Sequence, residues 1–296
     1  MTRLWIADRG LWMLTALVIA GCHPQPVPTT QPKVVGPTYR ELAAAQNARV
    51  EQLQALYGSG VIEIRWADDQ KKRHFEQGEM ELWFNLPRKT ALRVEKVGEV
   101  LLWLGSDDDR YWMFDRLNKE KVLRVSSHDK ALTDDRGRAF AVKPMALLDL
   151  MGLTPLPASA ADPALNDSMV KFDPQRNAWS VRFDGRGGAV RVFFDRATLL
   201  PQRVESLDSQ DQVILFSDLK RYESVQLQGK SPAAFPKMAE LIDISDVQAD
   251  PSIVGQVKIA IDHYNDGYDQ PFDRVFDLKR LAHSFQPDRV EGQLPQ

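Results

Sequence analysis

Few residues in this chain have the type and spacing for chemistry, and the most informative is Cys22, its only cysteine. It follows Leu17-Val18-Ile19-Ala20-Gly21, with Arg3 and Arg9 upstream and an apolar stretch over residues 11–20. A charged start, a short apolar middle and a small-residue exit are the layout of a secretory signal. The apolar run is too short to span a membrane as a helix, which takes ~20 residues. A buried free cysteine is common in general. Cys22, however, stands between the apolar run and a proline-rich stretch, where no core forms. An ordinary signal peptide with a chance cysteine is the alternative.

The other candidates for chemistry are weak. The histidines at 23, 74, 128, 263 and 283 are scattered. His128-Asp129 has the types for half of an acid–base pair, but beside Ser126 and Ser127 a solvated turn accounts for it. Asp107-Asp108-Asp109 offers oxygen ligands for calcium, yet lacks the alternation and glycine of a calcium loop. The glycines at 185, 187 and 188 signal a hairpin rather than a phosphate cradle. Phe-Asp-Arg occurs at 114, 194 and 272, too short a unit to establish a repeat. H-E-x-x-H, C-x-x-C, P-loop and G-x-S-x-G patterns are all missing from the sequence. The expectation is a protein without catalytic residues, metal or cofactor, so not an enzyme. A net charge of −3 with interspersed signs leaves no electrostatic footprint for nucleic acid.

The elements that would position a binding site are easier to read. Prolines at 24, 26, 28, 32 and 37 forbid a helix and favour an extended tether. Thr38 and Glu41 have capping-box spacing at the start of a helix over 38–57. Leu42, Ala45, Arg49/Val50, Leu53 and Leu56/Tyr57 mark its inner face, Arg40, Gln46, Asn47, Glu51 and Gln54 its outer face, and Gly58 and Gly60 its end. Alternation then predicts strands over 61–66, 79–84, 91–96, 100–104, 110–114 and 121–125, too closely spaced for parallel crossovers. A second helix over 143–152 carries Pro144 near its start, Gly152 at its end and apolar residues on nearly every side between. Strands resume over 170–172, 179–183, 189–194, 201–205, 212–216, 238–244 and 254–263. Residues 272–278 read as a last strand or a lid, and the tail from Ser284 as polar and frayed.

The sum is a mainly β, α+β protein: about a dozen antiparallel strands in one large sheet. An open sheet of that length curls, and the helices over 38–57 and 143–152 are available to cover its concave face. Many aromatic and aliphatic residues lie on the strands. A curved sheet lined by them can hold an acyl chain, at ~0.8 kcal/mol per buried CH₂; the plainer reading is ordinary core. The candidate ligand-lining residues are Ile62, Ile64, Trp66, Met80, Leu82, Phe84, Leu92, Val94, Trp112, Phe114, Phe183 and Phe194 on strands, with Leu147, Leu148 and Met151 on the second helix.

Two resemblances sharpen this reading. The small pair followed by Cys22 resembles the lipobox of bacterial lipoproteins, which implies cleavage after residue 21 and a diacylglycerol-modified Cys22. His23 at the next position, rather than aspartate, favours release to the outer membrane. The helix over 38–57 leading into a strand, Leu86-Pro87 with Arg93 in the next strand, Ser106-Asp107 before Tyr111-Trp112, Arg191–Pro201 with V-F-F-D-R-A-T-L-L-P, Arg203–Glu205 and Phe216-Ser217-Asp218 together resemble the lipoprotein-carrier fold of the bacterial lipoprotein-localisation system. That fold is an unclosed antiparallel β-barrel with helices plugging an apolar hollow, and is shared with a periplasmic envelope-stress sensor. The turn at 106–109 departs from the family's Ser-Asp-Gly, and residues 235–278 extend beyond the minimal carrier.

The resemblance implies a signal peptide over 1–21, a lipidated cysteine and tether over 22–37, one half-barrel domain over 38–283 and a tail over 284–296. It further implies that Arg93 tethers the lid helices. The expected function is a periplasm-facing, lipid-anchored protein of the cell envelope, at the outer membrane. It would hold lipid or lipoprotein acyl chains in its hollow, with the helix over 143–152 as a movable lid, in a role within lipoprotein localisation. The alternative is an envelope-stress sensor or structural lipoprotein whose core is packed and ligand-free and whose edges or loops bind an envelope protein partner.

Overall fold

The computed structural model describes residues 36–68, 70–117, 120–128, 144–157, 169–185, 188–247, 255–265 and 272–294. The expected signal segment, Cys22 and most of the proline tether fall within 1–35 and lie outside the described residues.

Helix α1 is Tyr39–Glu51. Its start is the expected capping box: the Glu41 N–H donates to Thr38 Oγ1 at 3.3 Å and the Thr38 N–H to the Glu41 carboxylate at 2.7 Å. The helix ends earlier than its sequence pattern suggests, and the chain enters β1, Ala55–Ala67. Gly58 and Gly60, read above as helix terminators, are therefore strand residues. The reason is pairing. β1 bonds β2 (Arg73–Asn85) along its whole length, from Ala55 opposite Asn85 to Ala67 opposite Arg73. A tertiary ladder that long overrides a local helix preference. Gly60 lies at a register shift against the neighbouring strand, where a Cβ would meet the Ala260 carbonyl at 2.0 Å.

The first meander continues through β3 (Lys89–Lys96), β4 (Glu99–Ser106), β5 (Arg110–Asp115) and β6 (Val122–Ser127). Helix α2, Pro144–Leu150, separates it from a second meander. The latter comprises β7 (Lys171–Asp173), β8 (Ala178–Asp184), β9 (Ala189–Asp195), β10 (Pro201–Leu207), β11 (Val213–Ser224), β12 (Lys237–Asp246) and β13 (Gln256–Asn265). β13 returns to pair with β1 and joins the meanders into one sheet. Residues 272–278 form neither a strand nor a cover for the concave face. Helices α3 (Phe272–Val275) and α4 (Leu278–Phe285) stand at the end of the chain, and the tail then adds β14 (Arg289–Glu291), parallel to β6.

Among the described residues the sheet has fourteen strands in the order β14-β6-β5-β4-β3-β2-β1-β13-β12-β11-β10-β9-β8-β7. It does not close into a barrel. Its two edges, β14 and β7, are each three residues long.

The curl of the sheet follows from α2. This helix lies against β3 and β4 on one side and against β10 on the other. β3 and β10 are six steps apart in the sheet order and β4 is one further, so the span from β3 would be ~29 Å if the sheet were flat at ~4.8 Å per step. A helix of seven residues is only ~10 Å long, so the sheet must wrap around it. The concave face is thus the one that carries α1 and α2.

Each face has its own core. The concave cluster joins α1, α2 and strands from both meanders. The second cluster lies on the outer face of β2–β6, where Val275, Phe276, Leu278, Leu281 and Ala282 cover Trp83, Ala91, Trp103, Trp112, Phe114, Leu123 and Val125.

Candidate functional site

The hollow of the curled sheet is the candidate site. Ile62, Ile64, Trp66, Met80, Leu82, Phe84, Leu92, Val94, Phe183 and Phe194 all fall in the concave cluster, together with Leu147 and Leu148 from α2 and Met151 directly after it. Trp112 and Phe114 fall in the outer cluster instead. The alternation on β5 explains this: Met113 pairs opposite Leu104 on the concave side, so its neighbours Trp112 and Phe114 face outward. There they meet α4, with the Phe114 and Phe285 rings stacked at 4.6 Å.

The hollow is filled by the chain itself. Leu147 and Leu148 are 0% exposed, and Leu150, Met151, Leu153 and Leu156 are buried as well. A helix apolar on nearly every side needs cover, and α2 finds it between the two meanders; its one charged residue, Asp149, is buried as well and accepts from the Thr154 hydroxyl.

The polar ties that hold this plug come from α1. Its buried face is Leu42, Ala43, Gln46, Arg49 and Val50, while Ala45, expected inward, is exposed. Gln46 and Asn47, expected outward, bind the chain that follows α2. The Gln46 amide donates to the carbonyls of Gly152 and Thr154, both at 2.9 Å. The Asn47 amide donates to the Leu156 carbonyl at 3.0 Å and its oxygen accepts the Leu156 N–H at 2.7 Å. From the sheet, the Ser217 hydroxyl donates to the Leu150 carbonyl.

Arg49 completes the arrangement. Its guanidinium donates to the Gly152 carbonyl, to Gln46 Oε1 at 3.0 Å and to the Lys237 carbonyl at 3.1 Å. A cation at the C-terminal end of α2 complements the partial negative charge there. Arg49 is 8% exposed, and burial holds its pKa below the usual arginine value. Burial likewise pushes Tyr222 up to about 12 and Tyr264 well above its usual value. Their hydroxyls donate to the carbonyls of Pro201 and Ala239. The sequence does carry a signal for Arg49: a charged residue on the apolar stripe of an amphipathic helix.

Arg93 is placed differently. It lies on the outer face in one cross-strand row with Glu81 and Trp103. It donates to Glu81 at 3.1 Å and to Glu95, and stands over the Trp103 ring at 5.7 Å. It also lines an outer-face pocket with Tyr57, Ser59, Glu79 and Asp262. The helices α1 and α2 are on the opposite face.

The weaker candidates resolve into turns. Asp107 accepts the N–H groups of Asp109 and Arg110 at 2.9 and 2.8 Å, an Asx turn between β4 and β5. His128 Nε2 donates to the Asp107 carbonyl at 2.8 Å, so these two meet through the backbone; Asp129 lies outside the described residues. The Gly185 N–H donates to the Gly188 carbonyl at 2.7 Å within the β8–β9 hairpin.

No family model matches the chain, and no curated protein matches its sequence. Solved structures do resemble it. A putative outer membrane lipoprotein-sorting protein domain from Vibrio parahaemolyticus is similar at a TM-score of 0.46 and 13% identity, covering 76% of this chain and 90% of that one. A DUF1329 family protein from Desulfovibrio piger is similar at 0.49 and 12%, covering 83% and 100%. A LolA superfamily protein from Nitrosomonas europaea is similar at 0.44 and 11%, covering 77% and 93%. Likeness at these TM-scores and identities brings no ligand or partner with it.

Proposed function

We propose that this chain is a lipid-anchored protein of the bacterial cell envelope, facing the periplasm from the outer membrane. In this reading it binds the acyl chain of a lipid or lipoprotein in the hollow of its curled sheet, with α2 as the plug that the ligand replaces. Binding requires no covalent chemistry. A role in lipoprotein localisation follows from the sequence resemblance, and lipidation of Cys22 supplies the anchor.

One observation carries the reading: a short apolar helix fills the hollow, held at its end by polar ties to carbonyl oxygens. The energetics match an acyl ligand. Four fully buried side chains, Leu147, Leu148 and Leu150 on α2 and Met151 directly after it, contribute about 8 kcal/mol at ~2 kcal/mol each. At ~0.8 kcal/mol per CH₂, about ten buried methylenes replace that contribution. The polar ties are of a kind that water can replace once α2 leaves. Arg49 gains solvation when it is exposed, because a buried cation carries a desolvation cost.

The test is a titration of the full chain with saturated 1-monoacylglycerols of about six to sixteen acyl carbons, whose uncharged head carries no buried-charge cost, read by displacement of a fluorescent apolar dye. Displacement should begin at about ten methylenes. A dye that no chain length displaces overturns the proposal.

The same burial also favours a second reading. If Arg49 locks α2 in place permanently, the hollow is plain core, and the chain is a sensor or structural lipoprotein that binds an envelope protein at its edges or loops. That reading expects no dye displacement at any length and no lipid recovered with the purified protein.

A further inference from the structure

The concave face is not uniformly apolar. Phe84 on β2 pairs with Thr90 on β3, Thr90 with Ser106 on β4, Ser106 with Tyr111 on β5, and Tyr111 with Ser126 on β6. Directly opposed residues point to the same side of a sheet, and Phe84 belongs to the concave cluster. Four hydroxyls therefore form a row across the concave side, next to Leu92 and Leu104. Thr90 and Ser106 are 0% exposed and Tyr111 is 2% exposed.

Thr90 is the anomaly in this row. Ser106 donates to the Arg88 carbonyl at 2.7 Å, but Thr90 Oγ1 has no hydrogen-bond partner among the described residues. A hydroxyl carries one donor and two acceptor sites, and burying it unpaired is unfavourable where a methyl group of the same shape would cost nothing. Its strand, β3, is one of those against which α2 lies.

We propose that Thr90 is the subsite for the polar end of the ligand, an uncharged oxygen-bearing group such as a glyceride ester. The acyl chain then runs along the apolar rows that begin at Leu92 and Leu104, and the Thr90 hydroxyl bonds the ester or glycerol oxygen. An uncharged head fits better than a carboxylate, because none of the four row residues is cationic and a buried unpaired carboxylate is far more costly. This inference rests on the acyl-binding reading above and adds which end of the ligand is recognised, and by what.

The test compares monopalmitin, palmitate and hexadecane as competitors of a fluorescent apolar dye on the full chain. Thr90→Val should weaken monopalmitin about tenfold, the scale of one hydrogen bond, leave hexadecane unchanged and raise the melting temperature. Thr90→Ser keeps the hydroxyl and should retain monopalmitin binding. Equal losses for monopalmitin and hexadecane would mean that Thr90 acts by packing and overturn the proposal, as would no loss for either. Palmitate binding more tightly than monopalmitin overturns the uncharged-head assignment. If none of the three displaces the dye from the unmodified chain, the acyl-binding reading itself fails and takes this one with it.

Discussion

The Arg49 guanidinium on α1 donates to the Gly152 carbonyl just beyond α2, so one helix closes the end of the other through a buried charge. The same side chain reaches Lys237 at the start of β12. One residue thereby connects both helices and the sheet.

Replacing Arg49 by methionine keeps much of the volume and removes the donors. Three acceptors lose a donor, at about 1 kcal/mol each, although the Gly152 carbonyl keeps the Gln46 amide. We expect a loss of about 2–3 kcal/mol in urea unfolding. Amide exchange over 144–157 should accelerate more than in β1 and β2. Uniform acceleration would show that Arg49 does not hold α2 in particular.

Leu148→Glu separates a plug from a structural core. The side chain is 0% exposed, and a buried unpaired carboxylate is not tolerated in place. If α2 is exchangeable, it leaves the hollow, the far-ultraviolet β signal persists and dye binding increases. Cooperative loss of the β signal would identify α2 as core.

The outer aromatic layer permits an independent check of the C-terminal segment. A Cβ on Gly105 would stand 2.5 Å from the Trp112 ring, which lies over that glycine on the neighbouring strand. Gly105→Ala should cost about 1–3 kcal/mol through overpacking and alter near-ultraviolet dichroism. Phe285→Ala removes the ring that meets Trp103 at 5.3 Å and Phe114 at 4.6 Å. It should shift tryptophan emission to the red while leaving acyl-chain binding in the hollow unchanged.

Alkaline pH tests Tyr222 and Tyr264. Burial raises Tyr222 from 10.0 to about 12, so the folded state holds its proton where the unfolded chain releases it. The resulting stabilisation is complete below pH ~10 and is lost as pH rises from there toward about 12. Tyr222→Phe should flatten the decline over that window, leaving the part due to Tyr264, which is raised in the same direction. An unchanged slope would remove Tyr222 from the account.

Local patterns in the sequence carry local structure well. T-x-x-E at Thr38 is the observed cap, Pro144 and Gly152 bracket α2, and alternation places the strands of both meanders. Two kinds of information are not local. β5 is buried on both faces, since Tyr111, Trp112, Met113 and Phe114 all lack exposure. Alternation alone therefore cannot say which side faces the hollow. That depends on α4, more than 150 residues further along, whose Leu278, Leu281, Ala282 and Phe285 recur at helical spacing. The end of α1 is likewise set by the β1–β2 ladder rather than by Gly58. Gln46 and Asn47 read as solvent-facing because their partners are backbone carbonyls and an N–H, which leave no mark in a sequence.

The two short edges of the sheet have a further consequence. β7 carries Lys171 and Asp173, and β14 carries Arg289 and Glu291. Long, flat borders act as templates on which another chain can extend a ladder, whereas short charged ones do not. Among the described residues, a sheet of fourteen strands thus ends on both sides in a short charged border, a poor template for a neighbouring copy.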